Sequence, residues 1–250
     1  MERRMNGILQ DKVIFITGGA SGLGRILTEE AVKNSAKVFF TYNSSQENAD
    51  LLMNQYKGKA YGFKADASDY NLAQKAIKTC LEKYSKIDVL INNAASVKDS
   101  SLVKHDIDKF DYTMKNVLYP VFNYCKAVSD IFISRKSGKI INIGSINGMR
   151  GREGSVAYCT AKAGIEGFTK TIAKELGRYN INCNVVAPGY IDTDGQQNTS
   201  ELIKKLVLDE CSIKNLMQPT DVANLILFLA SDKANSITGQ VYKIDCGQYI

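Results

Sequence analysis

The chain has one histidine, His105, and no tryptophan among its 250 residues. A multi-histidine metal site is therefore impossible, no metal is expected, and a Ser-His-Asp triad would have to run through His105. Proline is scarce, with 3 in all, and no linker, low-complexity tract or internal repeat divides the sequence. CxxC pairs are missing too. Cys80, Cys125, Cys159, Cys183, Cys211 and Cys246 are dispersed without zinc spacing, so they read as reduced, buried small hydrophobes of a cytoplasmic protein. Long apolar runs are also absent. Val13–Ile16 is too short for a signal-peptide core and Asp11-Lys12 interrupts the approach to it. No stretch reaches the ~18 apolar residues of a membrane span. Basic runs and RNA-binding signatures are lacking, so no nucleic-acid partner is expected.

What is present is an ordinary globular composition, 44% hydrophobic and 23% charged, with a net charge of +6. A chain of this length can bury a large core without staples. Short apolar runs alternate with helical patterns from end to end. Strands are expected at Lys12–Thr17, Lys37–Tyr42, Ala60–Lys64, Val89–Asn92, Lys139–Ile143, Asn182–Ala187 and Gln240–Ile244. Near-continuous apolar runs of this kind belong to a parallel sheet buried on both faces. Helices are expected at Leu23–Asn34, Gln46–Tyr56, Asp69–Tyr84, Asp106–Ser134 (bent at Pro120) and Ser155–Arg178, with Asp69, Ser155, Thr199 and Thr220 as N-caps. Alternating βα units with right-handed crossovers give an α/β, Rossmann-like, doubly wound sheet of about seven strands, in one domain over residues 1–250. Pro188–Glu210 is the least regular stretch and reads as a substrate-side flap, since ligands bind at the carboxyl ends of such strands.

Two motifs carry chemistry. Thr17-Gly18-Gly19-Ala20-Ser21-Gly22-Leu23-Gly24 lies between the first strand and the first helix. Glycine there lets the backbone approach a pyrophosphate, and the helix N-terminus supplies free N–H donors. The position predicts dinucleotide binding through Gly18, Ser21, Gly22, Leu23 and Gly24. The second motif is Tyr158-x-x-x-Lys162, one helical turn apart and on one face. None of the other tyrosines, of 13 in all, has lysine four residues later. A cation beside a phenol lowers its pKa and makes it a usable acid or base near neutrality. Ser145, after the strand KIINI, can hydrogen-bond a substrate oxygen.

With these residues in order, the chain resembles the short-chain dehydrogenase/reductases over essentially its whole length. The family's TGxxxGxG appears as Thr17 to Gly24, its NNAG as Asn92-Asn93-Ala94-Ala95, and its PG turn as Pro188-Gly189. The resemblance implies that Asn116, Ser145, Tyr158 and Lys162 form a catalytic tetrad. It also implies that Asp66 and Ala67 lie beside the adenine, and that Asn93, Ala94, Ala95, Pro188, Gly189, Ile191 and Thr193 line the cofactor site with Tyr158 and Lys162. NNAASVKDSSL, GKIINIGSINGMRG and LFLASDKANSITGQ are similar to the β-ketoacyl-acyl-carrier-protein reductases within the family. Two departures, Ala95 for the glycine of NNAG and Cys246 for the first glycine of Asp-Gly-Gly, mark a divergent member.

NAD-preferring relatives carry an acidic residue at the end of the second strand. Here Tyr42, Asn43 and Ser44 stand there. Their hydroxyl and amide groups could bond a 2′-phosphate, so NADP(H) is expected over NAD(H). The resemblance implies reduction of a ketone, above all a β-ketoacyl thioester on acyl carrier protein. Tyr158 would give the proton, Ser145 steady the oxygen, Lys162 lower the phenol pKa, and Asn116 place a water. Acyl carrier protein would dock on basic residues beside the site, Lys136 and Arg178. Two other readings stay open: a dehydrogenase of a steroid, sugar or other small alcohol, and a catalytically idle nucleotide-binding scaffold. The resemblance implies a homotetramer, and Ile107, Phe110, Val117, Val121, Phe122, Ile165 and Phe168, more than one sheet face needs, supply candidate surfaces.

Overall fold

The computed structural model describes residues 7–192 and 200–250. Its strands are β1 (Val13–Ile16), β2 (Lys37–Tyr42), β3 (Ala60–Lys64), β4 (Val89–Asn92), β5 (Gly138–Ile143), β6 (Ile181–Pro188) and β7 (Val241–Ile244). They form one parallel sheet in the order β3-β2-β1-β4-β5-β6-β7. The chain leaves β1 towards β2 and β3, then returns to the other side of β1 for β4. The carboxyl ends of β1 and β4 therefore flank the switch point where such sheets bind ligands.

The helices are α1 (Gly22–Lys33), α2 (Gln46–Gln55), α3 (Tyr70–Tyr84), α4 (Ile107–Arg135), α5 (Ile146–Arg150), α6 (Val156–Leu176), α7 (Glu201–Glu210) and α8 (Pro219–Ala230). Alternate residues of each strand feed opposite cores. Ile14, Ile16, Val38, Phe40, Val89 and Ile91 pack in the layer that includes α1 and α8. Val13, Phe15, Phe39 and Leu90 pack in the layer built with α3, α4 and α6. The central strands β1 and β4 are buried at every residue because both their faces are covered.

Local chemistry corrects several expected boundaries. Asp69 caps α3 through Leu72 N, as its residue type suggests. The helix expected to start at Thr220 begins earlier. Pro219, with its φ already helical, takes the first position, and Gln218 and Asp221 form a reciprocal capping box. Ser155 occupies the N-cap of α6 but its side chain caps nothing. Thr199 lies outside the described residues. Within the stretch read as irregular, Glu201–Glu210 is a helix, started by Ser200 accepting from Ile203 N. Long α4 continues through Pro120. Proline offers no N–H to the carbonyl four residues back, and the Asn116 carbonyl instead accepts from Ser96 N in the loop after β4 at 3.3 Å.

The tetramer expectation is refined by burial. Val117, Val121 and Ile165 face the core, whereas Ile107 (76% exposed) and Phe122 (53%) stand in solvent. Phe110 and Phe168 are half-buried.

Candidate active site

Two adjoining cavities open along the carboxyl edge of the sheet and share Asn93 and Ala95. The first, of about 470 Å³, is lined by Gly18, Ser21 and Leu23 from the glycine-rich loop, Tyr42, Asn43 and Ser44 from the end of β2, and Asp66 and Ala67 after β3. Asn93, Ala94, Ala95 and Asn116 complete the predicted members. Ala20, within the glycine-rich motif, also lines it, as do Thr41, Ser68 and Tyr112, which no motif singled out. Gly22 and Gly24 sit in the first turn of α1 behind this wall.

The wall is stitched by named bonds. Thr17 Oγ1 accepts from Asn93 N (2.9 Å) and Ala94 N (3.0 Å). Asn93 Nδ2 donates back to the carbonyls of Thr17 (3.0 Å) and Gly18 (3.1 Å). Gly18 has φ +66°, and a Cβ there would come within 3.0 Å of Ala94 Cα. A Cβ at Gly24 would reach 2.0 Å from the Gly18 carbonyl oxygen. The loops after β1 and β4 can lie this close only with glycine. The result is a polar trough beside a helix N-terminus, the environment a dinucleotide pyrophosphate needs, and the residues present fit such a cofactor. One expected contact differs: the Tyr42 hydroxyl donates to Gln46 Oε1 (3.1 Å), and the ring is buried. Asn43 and Ser44 are the exposed polar groups at this end.

The second cavity, of about 610 Å³, gathers Ser145, Tyr158 and Lys162 with Pro188, Gly189 and Ile191. Thr193 lies outside the described residues. A buried polar chain braces these elements. Asn92 Nδ2 donates to Asn142 Oδ1, and Asn142 Nδ2 to Thr169 Oγ1, both at 2.8 Å, tying β4, β5 and α6 together. Ser145 follows β5 and accepts from Asn147 N (3.2 Å). Asn116 Nδ2 donates to the Tyr112 carbonyl (2.8 Å).

Electrostatics correct the expectation for Tyr158. Its pKa is raised: burial dominates, and contact with the Ser145 hydroxyl opposes it. The Arg152 guanidinium also pulls it down, while the Asp99 carboxylate pushes it up. Lys162 shares this face of α6. Its Nζ lies 5.7 Å from the phenol ring centre and donates to the Ile143 carbonyl at 2.6 Å. Buried without a carboxylate, that ammonium is itself held down to about 8 by desolvation. A phenol kept protonated is suited to giving a proton rather than taking one.

The mouth of this cavity holds groups that spacing could not reveal. Arg150 donates to Glu210 (2.9 Å), Asn147 (3.2 Å) and the Gln248 carbonyl (3.4 Å). These bonds join α5 to the end of α7, whose Ile203, Leu206 and Val207 line the cavity. Lys136 and Arg178, expected beside the site, are elsewhere. Lys136 precedes β5 and Arg178 precedes β6, whereas Ser145 follows β5. In a parallel sheet that places them at the opposite edge, about 20 Å away at ~3.3 Å per strand residue.

Comparison with known proteins agrees with this arrangement. The family model described as "Enoyl-(Acyl carrier protein) reductase" matches residues 18–248. The 3-oxoacyl-[acyl-carrier-protein] reductase FabG of Thermotoga maritima is 36% identical over 245 residues, covering 97% of this chain and 99% of that one. The 3-oxoacyl-[acyl-carrier-protein] reductase of Synechocystis is 37% identical over 243 residues (96% and 97%). The Chlamydia trachomatis FabG is 34% identical over 246 (97% and 99%). Similarity of this extent, on a parallel seven-stranded sheet with a glycine-walled trough at its switch point, shows that the chain belongs to the short-chain dehydrogenase/reductase family of nicotinamide-dependent oxidoreductases.

Proposed function

We propose that this protein reduces a 3-oxoacyl thioester, carried on acyl carrier protein, to the 3-hydroxy thioester at the expense of NADPH. The observation that carries this reading is the meeting of Ser145 and Tyr158 hydroxyls in one cavity that adjoins the dinucleotide trough. Gly18, Ser21, Asp66 and Asn93 would hold a nicotinamide dinucleotide, which would supply the hydride when bound. Ser145 Oγ donates to the carbonyl oxygen and steadies the charge that develops on it. Tyr158 Oη gives that oxygen its proton, and its raised pKa keeps the proton available. The Lys162 ammonium favours the phenolate left behind. Asn116 stands at the rim of the trough, where its side chain can place a water on the path from solvent to Lys162.

NADPH is preferred over NADH because the trough meets the end of β2 at Asn43 and Ser44, with no carboxylate there to repel a 2′-phosphate. Asp66, the one acid lining the trough among the described residues, accepts from Ser68 N through Oδ1.

A second reading comes from the printed description of the matching family model, which names reduction of an enoyl group. Alkene reduction delivers its proton to carbon, and a serine and a tyrosine aimed at one oxygen favour the ketone. The test is cofactor oxidation with a 3-oxoacyl thioester beside the matching trans-2-enoyl thioester, each with NADPH and NADH. The ketone with NADPH should be the fastest pair. Faster turnover of the enoyl thioester would overturn the reaction, and a strong preference for NADH would overturn the cofactor choice.

The carrier reaches Lys136 and Arg178 through a second copy of the chain. Helix α4 spans about 43 Å at 1.5 Å per residue, the depth of the sheet and more. An antiparallel partner packed on Ile107, Tyr119 and Phe122 would bring its own Lys136 and Arg178 to this site, within a homotetramer. Phe122→Arg should give a smaller species in sedimentation and erase any advantage of the carrier-bound substrate over a small thioester. A monomeric wild type at micromolar concentration contradicts this arrangement.

A further inference from the structure

We propose that Asp99 is a positioning residue that clamps the first turn of α6 to the loop after β4 and so fixes the place of the Tyr158 phenol. The first N–H groups of a helix have no partner within it, and Ser155, at the N-cap of α6, leaves them unserved by its side chain. The Asp99 carboxylate reaches across 59 residues of sequence to supply the acceptors. Its Oδ1 accepts from Ala157 N (3.2 Å), and its Oδ2 accepts from Tyr158 N itself (3.3 Å). A carboxylate at this end of a helix is also favoured by the helix dipole.

Asp99 is held in turn. Its Oδ1 accepts from Ser100 N (3.2 Å) and lies 3.8 Å from Nδ1 of His105, the chain's one histidine. The Ser100 hydroxyl and His105 Nδ1 are 2.8 Å apart. The same loop is fixed to α4: Thr113 Oγ1 accepts from Lys98 N and donates to the Lys98 carbonyl, and Ser96 N bonds the carbonyl that Pro120 frees on Asn116. Since this loop begins with Asn93, Ala94 and Ala95, one rigid segment runs from the wall of the dinucleotide trough to the backbone of Tyr158.

The titratable and charged groups facing the phenol are Asp99 from this loop, Arg152 from the turn before α6, and the Cys159 thiol and the Lys162 ammonium from α6 itself. Among these, Asp99 works against ionisation and Arg152 for it. The clamp therefore has an electrical signature that a purely structural cap would lack.

This inference rests on Tyr158 being the proton-transferring group, and the experiment separates the two. Asp99→Asn keeps the shape and one acceptor but removes the charge, whereas Asp99→Ala removes both. Turnover in ketone reduction should fall about tenfold in Asp99→Asn and on the order of 10²-fold in Asp99→Ala, as misplacement of a reacting group does, with KM for cofactor and thioester changed less than about threefold. In the direction of alcohol oxidation, which needs the phenolate, the rising limb of the rate against pH should move to lower pH in Asp99→Asn. Should Asp99→Ala fail to fold, Asp99→Asn still decides. Wild-type turnover and an unmoved limb in Asp99→Asn, beside an inactive Tyr158→Phe, would overturn the clamp alone. A fully active Tyr158→Phe would overturn the underlying assignment instead.

Discussion

Tyr158→Phe is expected to lose roughly 10²–10⁴-fold in turnover, the range general acid catalysis commands. Nothing else should change much. The ring keeps its place on α6, because Asp99 holds the backbone of residue 158 and not its hydroxyl. The dinucleotide trough is lined by other residues, so cofactor affinity should stay within a few-fold of wild type. The loss should appear in kcat and not in KM, since the phenol's proton is needed only as charge builds on the substrate oxygen. Steady-state kinetics and a cofactor titration on the same preparation check both halves. A drop smaller than about tenfold would remove Tyr158 from the role of acid.

Lys162→Met should be nearly as damaging to turnover and should make the fold more stable. Lys162 is buried, and desolvation lowers its pKa from 10.5 to about 8. The unfolded chain therefore binds this proton more tightly than the folded one. Below pH 8 both states are protonated and the folded state carries the whole cost of burying the charge, about 3 kcal/mol at 1.36 kcal/mol per unit. As pH rises from about 8 towards 10.5 that cost fades, so wild-type stability rises across this window. Methionine keeps the stem and removes the charge, and it leaves the Ile143 carbonyl without its donor, which gives back about 1 kcal/mol. The net is a gain of about 2 kcal/mol at pH 7, or roughly 4–8 °C in Tm for a chain of this size, shrinking at high pH. Wild-type ketone reduction should also decline as Lys162 loses its proton near pH 8, and this limb should be missing in the variant. Thermal unfolding at pH 7 and pH 10 checks the sign. A variant that is less stable at pH 7 and fully active would refute the electrostatic reading of Lys162.

The parallel sheet was legible because its strands are short apolar runs covered on both faces. The expected spans of β2, β3 and β4 are the observed ones. The trough was legible from glycines whose spacing has one common use, and Tyr158 and Lys162 from a single helical turn. Spacing says which residues share a face of one element. It is silent on which edge of a sheet two distant residues occupy, and for that reason it does not reveal that Lys136 and Arg178 lie at the other end of the sheet from the site. It is equally silent on pairings such as Asp99 with Tyr158 N or Arg150 with Glu210, which arise only when separate loops converge. Nor could the pattern Tyr-x-x-x-Lys reveal that the lysine spends its proton on the Ile143 carbonyl, because that partner is a backbone group of another element.

The central claim is that hydride and proton are added across a carbonyl, with Tyr158 serving the oxygen. The most direct measurement is mass spectrometry of the product made from a 3-oxoacyl thioester with NADPH deuterated at the transferable C4 position. The account predicts a 3-hydroxy thioester carrying one deuterium on the carbinol carbon, formed by wild type and roughly 10²–10⁴-fold more slowly by Tyr158→Phe. Failure to form the labelled alcohol, together with deuterium appearing in a saturated thioester when the trans-2-enoyl substrate is supplied, would contradict it.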